Sequence, residues 1–266
     1  MKPGLYTRDQ LSNDAYHASS PISSSGLKRI LQSPAHFKYP PASTVTRAKD
    51  IGSAIHCAVL EPDRFLLDYR IIDCDDRRSA IYKAACKDRD GSYVLTQAEG
   101  DNVQGMQAGI MRNRSCRELI EMPGDYELSL AVQDPVTGVM VKVRYDKLCR
   151  SAGKPIDLKK TQCARARDFQ RAIENYGYHI SAALYQDAWE WLHGETIEPM
   201  RWIAVEEKSP NAAMLYKINP ETLALGRALY RDALNIYADC IDKDNWPAYG
   251  DNEEEIGVPD WAINQL

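Results

Sequence analysis

The sequence has no apolar run approaching the ~18 residues that a membrane-crossing helix needs, and its opening, MKPGLYTRDQ, has no apolar core of the kind a signal peptide carries. Both absences point to a cytoplasmic protein with no membrane partner. No Cys-x-x-Cys pair occurs among the 7 cysteines, at 57, 74, 86, 116, 149, 163 and 240. An odd count without paired spacing suggests neither a disulfide framework nor a zinc ribbon, so reduced thiols serving mostly as core filler are expected. Nor do the spacings offer the cysteine set that an iron–sulfur cluster takes. Basic charge is not in excess either. With a formal net charge of -5 the chain lacks the overall field of a generic nucleic-acid binder, and any grip on DNA must come from basic residues gathered locally. Internal repeats and low-complexity tracts are absent.

What is present is the composition of an ordinary soluble globular protein, 44% hydrophobic and 27% charged over 266 residues. A chain of this size buries roughly three quarters of its unfolded surface, so it folds without disulfide or metal staples. A single domain over residues 1–266 is expected: a mainly helical part (1–120), a sheet core (121–210), and a C-terminal strand, helix and tail (211–266).

Local patterns set the element order. Ser23-Ser24-Ser25 ahead of Leu27, Ile30 and Leu31 reads as a serine cap and a short helix, stopped near Ser33-Pro34. After Pro40-Pro41, residues 48–60 read as a buried helix with Gly52 and His56 on one face, ended by Pro62. Residues 69–72 predict a strand, and 78–88 and 96–120 predict helices. The period then changes to two at Tyr126, Leu128 and Leu130, and a turn at Asp134-Pro135 leads into residues 139–148, which makes a hairpin. A third strand is expected over 155–158, a helix over 164–193 broken around Tyr176-Gly177, strands over 202–206 and 212–218, and a helix over 220–241. The tail carries Trp246-Pro247 and Pro259-Asp260-Trp261. This order is α/β with a mixed central β-sheet flanked by helices, part of it antiparallel.

The chemistry is densest on the second and third core strands. Side chains alternate along a strand, so Asp157 and Lys159 point to one side and Leu158 to the other. With Asp146 on the neighbouring strand two carboxylates converge, and oxygen ligands with room for water suit Mg²⁺, or Mn²⁺ in its place. A lysine beside such a site makes a phosphodiester-cleaving arrangement: metal ions polarise the phosphate and acidify a bound water, while Lys159 orients or deprotonates that water or stabilises developing charge. Asp-x-Lys alone is a weak signal that chance supplies often.

The surrounding blocks are more specific. Tyr16-His17, Ile22-Ser23-Ser24-Ser25-Gly26-Leu27, Ser33-Pro34-Ala35, Ile51-Gly52-Ser53-Ala54-Ile55-His56, Leu60-Glu61-Pro62, Arg144-Tyr145-Asp146, Asp157-Leu158-Lys159, Tyr178-His179, Tyr185 and Asp244-Asn245-Trp246-Pro247-Ala248 occur in this order. In them the sequence resembles the PD-(D/E)xK nuclease superfamily, which implies a restriction-endonuclease-like core, and within its RecB-like branch it is similar to the RecE-type exonucleases (exodeoxyribonuclease VIII) of prophage recombination systems.

The resemblance implies that Asp146 and Asp157 are metal-binding carboxylates, Lys159 the catalytic lysine, His56 a histidine at the metal, aided by the close approach that Gly52 permits, and the Leu158 carbonyl a backbone ligand. It implies a Mg²⁺-dependent exonuclease on linear double-stranded DNA ends, working 5′ to 3′ and leaving 3′ single-stranded tails for an annealing protein of the RecT type, and a ring-shaped homo-oligomer. Neither a covalent intermediate nor an organic cofactor is needed. Glu127, outward on the first core strand, is a further carboxylate, a metal contact or a solvated side chain. Tyr185 matches the tyrosine of the relatives' Gln-x-x-x-Tyr motif, but Ser181 stands at the glutamine position and is too short to reach as glutamine does. Lys160 stands where relatives carry threonine.

Arg165, Arg167 and Arg171 are candidate contacts to DNA phosphates, the last two sharing a helix face at i, i+4. Lys28, Arg29, Arg47 and Lys49 are either basic surface at the DNA entry or, the leading reading, a solvated face, and Tyr176, Tyr178, Trp189, Trp191 and Trp202 read as core in preference to base-stacking platforms. The competing function is a catalytically weak DNA-end-binding scaffold with the nuclease fold. Intact Asp146, Asp157 and Lys159 speak against it, and Ser181 keeps it open.

Overall fold

Apolar alternation between residues 125 and 149 builds the longest antiparallel pair of the molecule, and the remaining elements are arranged around it. The structure, a computed structural model, describes residues 1–41, 46–88, 92–250 and 252–258; Pro259-Asp260-Trp261 lies outside the described residues. In chain order the strands and helices are β1 (Gly4–Tyr6), α1 (Asn13–Ala18), β2 (Ile22–Ser23), α2 (Ser24–Gln32), α3 (Pro34–Lys38), α4 (Arg47–Leu60), α5 (Pro62–Asp68), β3 (Tyr69–Ile72), α6 (Ala80–Lys87), β4 (Tyr93–Thr96), α7 (Gln97–Arg112), α8 (Arg114–Glu121), β5 (Asp125–Gln133), β6 (Met140–Cys149), β7 (Lys154–Thr161), α9 (Ala166–Asn175), α10 (Tyr178–His193), β8 (Arg201–Glu206), β9 (Ala213–Lys217) and α11 (Pro220–Lys243).

The main sheet has the order β1-β5-β6-β7-β8-β9, with β2 added to β6, while β3 and β4 form a small parallel pair of their own. It is mixed: β7–β8 and β2–β6 are parallel and the other pairs antiparallel. Helices cover both faces. On one, α2, α10 and α11 pack Leu27, Ile30, Leu184 and Leu234 against Leu128, Val143, Tyr145 and Trp202. On the other, α4, α7 and α8 pack Ile55, Met106 and Leu119 against Ile156, Leu158, Ile203 and Val205. Each fully buried aliphatic side chain contributes about 1.5–3 kcal/mol, which makes these two layers the dominant stabilising term.

Local signals account for many boundaries. Ser23 caps α2 by accepting from the Gly26 N–H, Thr46 caps α4, and Thr96 and Glu99 form a reciprocal capping box on α7. The expected helix over 96–120 is two helices, because Asn113 ends α7 and caps α8 through its side chain. Three short strands, β1, β2 and β4, are not signalled by the sequence pattern; each is completed by pairing with another strand, β5, β6 and β3 respectively.

The feature that positions the site is a fork. β6 and β7 pair only at Lys147↔Ile156, Leu148↔Pro155 and Cys149↔Lys154, after which β7 leaves β6 and runs beside β8. The vacated side of β6 is taken further along by β2, through Ile22↔Val141 and Ser23↔Lys142. Asp146 stands on one arm of this fork and Asp157 on the other.

Candidate functional site

Strand alternation should put Tyr126 and Leu128 on the same face, two residues apart, yet Tyr126 packs into the α4/α7/α8 layer and Leu128 into the α2/α10/α11 layer. The residue between them, Glu127, has a left-handed φ of 50°. Across the pair β6 switches in the same place: Tyr145 and Leu148 face one layer and Cys149 the other. The flanking register, Tyr126↔Lys147 and Leu128↔Tyr145, puts Glu127 opposite Asp146. A bulky residue at positive φ is strained, and like charges directly opposite repel. Both costs fall on one cross-strand pair, and both aim its carboxylates into the fork.

His56, Glu127 and Asp146 offer ligand atoms that all lie within 4.8 Å of one another. His56 comes from α4 and reaches the sheet: its Nε2 donates to the Leu158 carbonyl at 2.8 Å, and its Nδ1 lies 3.4 Å from Asp146 Oδ2. A carbonyl only accepts, so Nε2 carries the proton. Burial, reinforced by Lys159, lowers the His56 pKa to about 4, so the ring is neutral near pH 7 and Nδ1 keeps its lone pair. A lone pair facing a carboxylate at that distance calls for a cation. Carboxylate oxygens suit a hard divalent ion, and the one imidazole nitrogen widens the donor set toward borderline divalent ions.

Asp146 Oδ2 also accepts the Leu158 N–H at 2.9 Å, bridging the two arms of the fork. Asp157 lies outside the trio. Its Oδ1 accepts from Lys159 Nζ at 2.5 Å, and the Asp146 carboxyl lies beside it. Burial pushes the Asp157 carboxyl up to about 7; Lys159 opposes that shift and Asp146 adds to it. Burial also raises Asp146. For Lys159, burial favours the neutral amine, but the attraction of Asp157 and Asp146 outweighs it and holds the group above its ordinary value, as an ammonium.

The expected residues fall into groups. Asp146, Asp157, Lys159 and His56 meet at the fork, and Glu127 is part of the cluster, hemmed by Arg144 at 3.6 Å. The Leu158 carbonyl is occupied by His56. Ser181 bonds Ser24 Oγ at 3.1 Å, and Ser24 in turn neighbours the Tyr185 hydroxyl, so the serine block at the start of α2 meets α10 beside the acids. Tyr185, pushed up by burial and then by Asp157 and Asp146, also accepts the Tyr145 hydroxyl on its carbonyl at 2.7 Å. Arg165, Arg167 and Arg171 are exposed, with no carboxylate partner among the described residues. Lys160 is turned away and paired with Glu207 at 2.6 Å.

Three expectations need correction. Gly52 does not mediate a close approach, because a Cβ there would meet nothing within 4 Å. Tyr176 is not core: it is 63% exposed, because the α9–α10 turn at Gly177 lifts it out of the layer that buries Trp202. Lys28 is not a solvated lysine, since its Nζ donates to the Tyr176 carbonyl at 2.9 Å and lies close enough to Lys159 to affect its charge. The sequence marks Ser24 only as part of a serine cap, and Lys28 only as one of four basic residues that could line the DNA entry.

A mixed sheet with helices on both faces, and an acid-and-lysine cluster where two strands part, define the PD-(D/E)xK class of fold. The family model described as "PDDEXK-like domain of unknown function (DUF3799)" matches residues 23–256, and the chain belongs to that family. Among solved structures it is similar to a protein of Eubacterium rectale named "Putative exonuclease", with 13% identity, a TM-score of 0.62, and coverage of 96% of this chain and 98% of that one. A phage related exonuclease from Haemophilus somnus 129PT aligns with 12% identity over 86% of this chain and 99% of that one, with a TM-score of 0.39. No curated protein matches the chain in sequence. Among the described residues no helix is long and apolar enough to cross a membrane.

Proposed function

We propose that the protein is a Mg²⁺-dependent exonuclease of the RecE type, acting on ends of linear double-stranded DNA. The observation that carries this reading is the charge arrangement at the fork: His56 Nδ1, Glu127 and Asp146 face one point, with the Asp157–Lys159 ion pair adjoining it. A divalent ion held by His56, Glu127 and Asp146, with Asp157 and the Leu158 carbonyl beside it, would polarise a scissile phosphate and acidify a water.

The chain's own residues do the rest. His56 stays neutral and is oriented by the Leu158 carbonyl through its Nε2–H. Asp157 anchors Lys159, and the ammonium lies 5.1 Å above the Tyr178 ring, so its position is fixed from two sides. As an ammonium it donates to a phosphate oxygen and stabilises the charge that develops there. The hydroxyls of Ser24 and Ser181 at the start of α2 and on α10 suit phosphate oxygens, and Arg165, Arg167 and Arg171, without a carboxylate partner among the described residues, offer positive charge on the segment after β7.

Degradation from 5′ to 3′, 3′ tails passed to an annealing protein of the RecT type, and a ring-shaped homo-oligomer complete the proposal. These parts rest on the sequence resemblance to RecE-type enzymes. The name of the similar Eubacterium rectale structure, "Putative exonuclease", agrees with this reading.

The test is a Mg²⁺ titration with 5′-phosphorylated linear duplex and covalently closed circular DNA. The expected result is metal-dependent nucleotide release from the linear substrate alone. Cleavage of the circle would make the protein an endonuclease, and binding without release would make it a scaffold.

A further inference from the structure

The turn between α9 and α10 holds an aromatic pair that the chemistry above does not use fully. Tyr176 and Tyr178 stack at 5.5 Å between ring centroids and 24° between planes. Tyr178 lies under Lys159, whereas Tyr176 is 63% exposed. Between them Gly177 takes a left-handed φ of 58°, and a Cβ on it would come within 3.2 Å of Lys28 Cε, so the glycine lets the Lys28 stem lie against the turn. Lys28 Nζ then bonds the Tyr176 carbonyl at 2.9 Å.

Single exposed tyrosines are common and need no explanation. This one is different in three respects: its ring is held by a stacked neighbour, that neighbour touches Lys159, and a second amine sits at its backbone. Lys28 forms no ion pair with a carboxylate among the described residues. Burial and the nearby Lys159 lower its pKa to about 8, which an anion bound between the two amines would reverse. An amine without an ion pair among the described residues, beside a largely exposed tyrosine ring, suits one chemical unit, a nucleotide, with its phosphate toward the lysines and its base on the tyrosine.

We infer that Tyr176 is a base-stacking platform and Lys28 a phosphate contact for the nucleotide flanking the scissile phosphate, which is taken out of the duplex to be held there. The inference rests on the nuclease reading and adds to it a specific subsite. A base inside the duplex reaches an aromatic side chain only after leaving its own stack, so on this inference the terminal pair opens before cleavage.

The test is a cycle between protein and DNA. Affinity is measured with Ca²⁺ in place of Mg²⁺, on 5′-phosphorylated duplexes with an intact or an abasic nucleotide at either of the first two positions, for wild type, Tyr176→Ala and Tyr176→Trp. Base–aromatic stacking of ordinary strength predicts a loss of about tenfold for Tyr176→Ala on intact DNA and for wild type on one of the abasic duplexes. The two changes together should cost no more than either alone, and Tyr176→Trp should restore tight binding. If Tyr176→Ala binds intact DNA within twofold of wild type, or if the two losses multiply, the subsite is refuted while wild-type cleavage leaves the nuclease reading standing. If wild type neither binds nor cuts the duplex, both readings fall.

Discussion

Glu127 and Asp146 stand opposite each other across β5 and β6, both carboxylates aimed into one fork, and Glu127 holds a φ of 50° to be there. Strain and like-charge repulsion persist at functional sites when the surroundings over-determine them, and a cation bound here would relieve the repulsion. Glu127→Gln should therefore weaken Mg²⁺ binding about tenfold, while the metal-free protein changes in stability by less than about 1 kcal/mol, because relief of the like-charge repulsion is offset by loss of the Arg144 contact at 3.6 Å. Urea unfolding with and without Mg²⁺ measures both, and equal metal affinity in the two proteins would remove Glu127 from the ligand set.

The Asp157 carboxyl, pushed up to about 7 chiefly by burial, sets a pH dependence. Its pKa in the folded protein exceeds the unfolded value near 4, so the stability it contributes is present at low pH and is lost as pH rises through about 7. Metal competes with the proton held by the acid pair, so binding tightens over the same range. The Mg²⁺-induced rise in melting temperature should grow from about pH 6.5 to about pH 8, as scanning calorimetry would record. His56 acts in another window. Its pKa is lowered, so the stability of its neutral form is present above about 6.5 and lost as pH falls toward about 4.

Lys159→Ala should lower the cleavage rate by about 10²- to 10³-fold while DNA affinity stays within about threefold, because the ammonium acts on charge that develops during reaction. Single-turnover cleavage and equilibrium binding separate the two effects, and a near-normal rate would take the catalytic role from Lys159.

The packing that carries α10 makes a prediction of its own. A Cβ at Gly226 on α11 would fall 2.2 Å from the His179 carbonyl oxygen on α10, a backbone atom that cannot rotate away. Gly226→Ala should destabilise by about 2–3 kcal/mol, at the upper end for overpacking, seen as a lower denaturation midpoint. An unchanged midpoint would show that α10 and α11 separate freely.

The strands of the site were legible in the sequence because a period of two survives even in a short window: Asp157 and Lys159 share a side, as alternation requires, and the hairpin carrying Asp146 lies where the turn residues put it. The fold class follows from the same pattern, and the family match supports it. The kink was not legible. Left-handed φ at Glu127 is imposed by tertiary packing, and nothing local to Tyr126-Glu127-Leu128 signals that the strand changes faces. Tyr176 and Lys28 were misread for a related reason: their contact joins residues 148 positions apart, and the exposure of Tyr176 depends on where a glycine turn points.

If the fork holds a divalent cation, anomalous diffraction from crystals soaked in Mn²⁺ will show a peak within bonding distance of Asp146, with Glu127 and His56 Nδ1 around it and Asp157 adjoining. A fork that stays empty at saturating Mn²⁺, or a peak bound elsewhere, would contradict a cation site there.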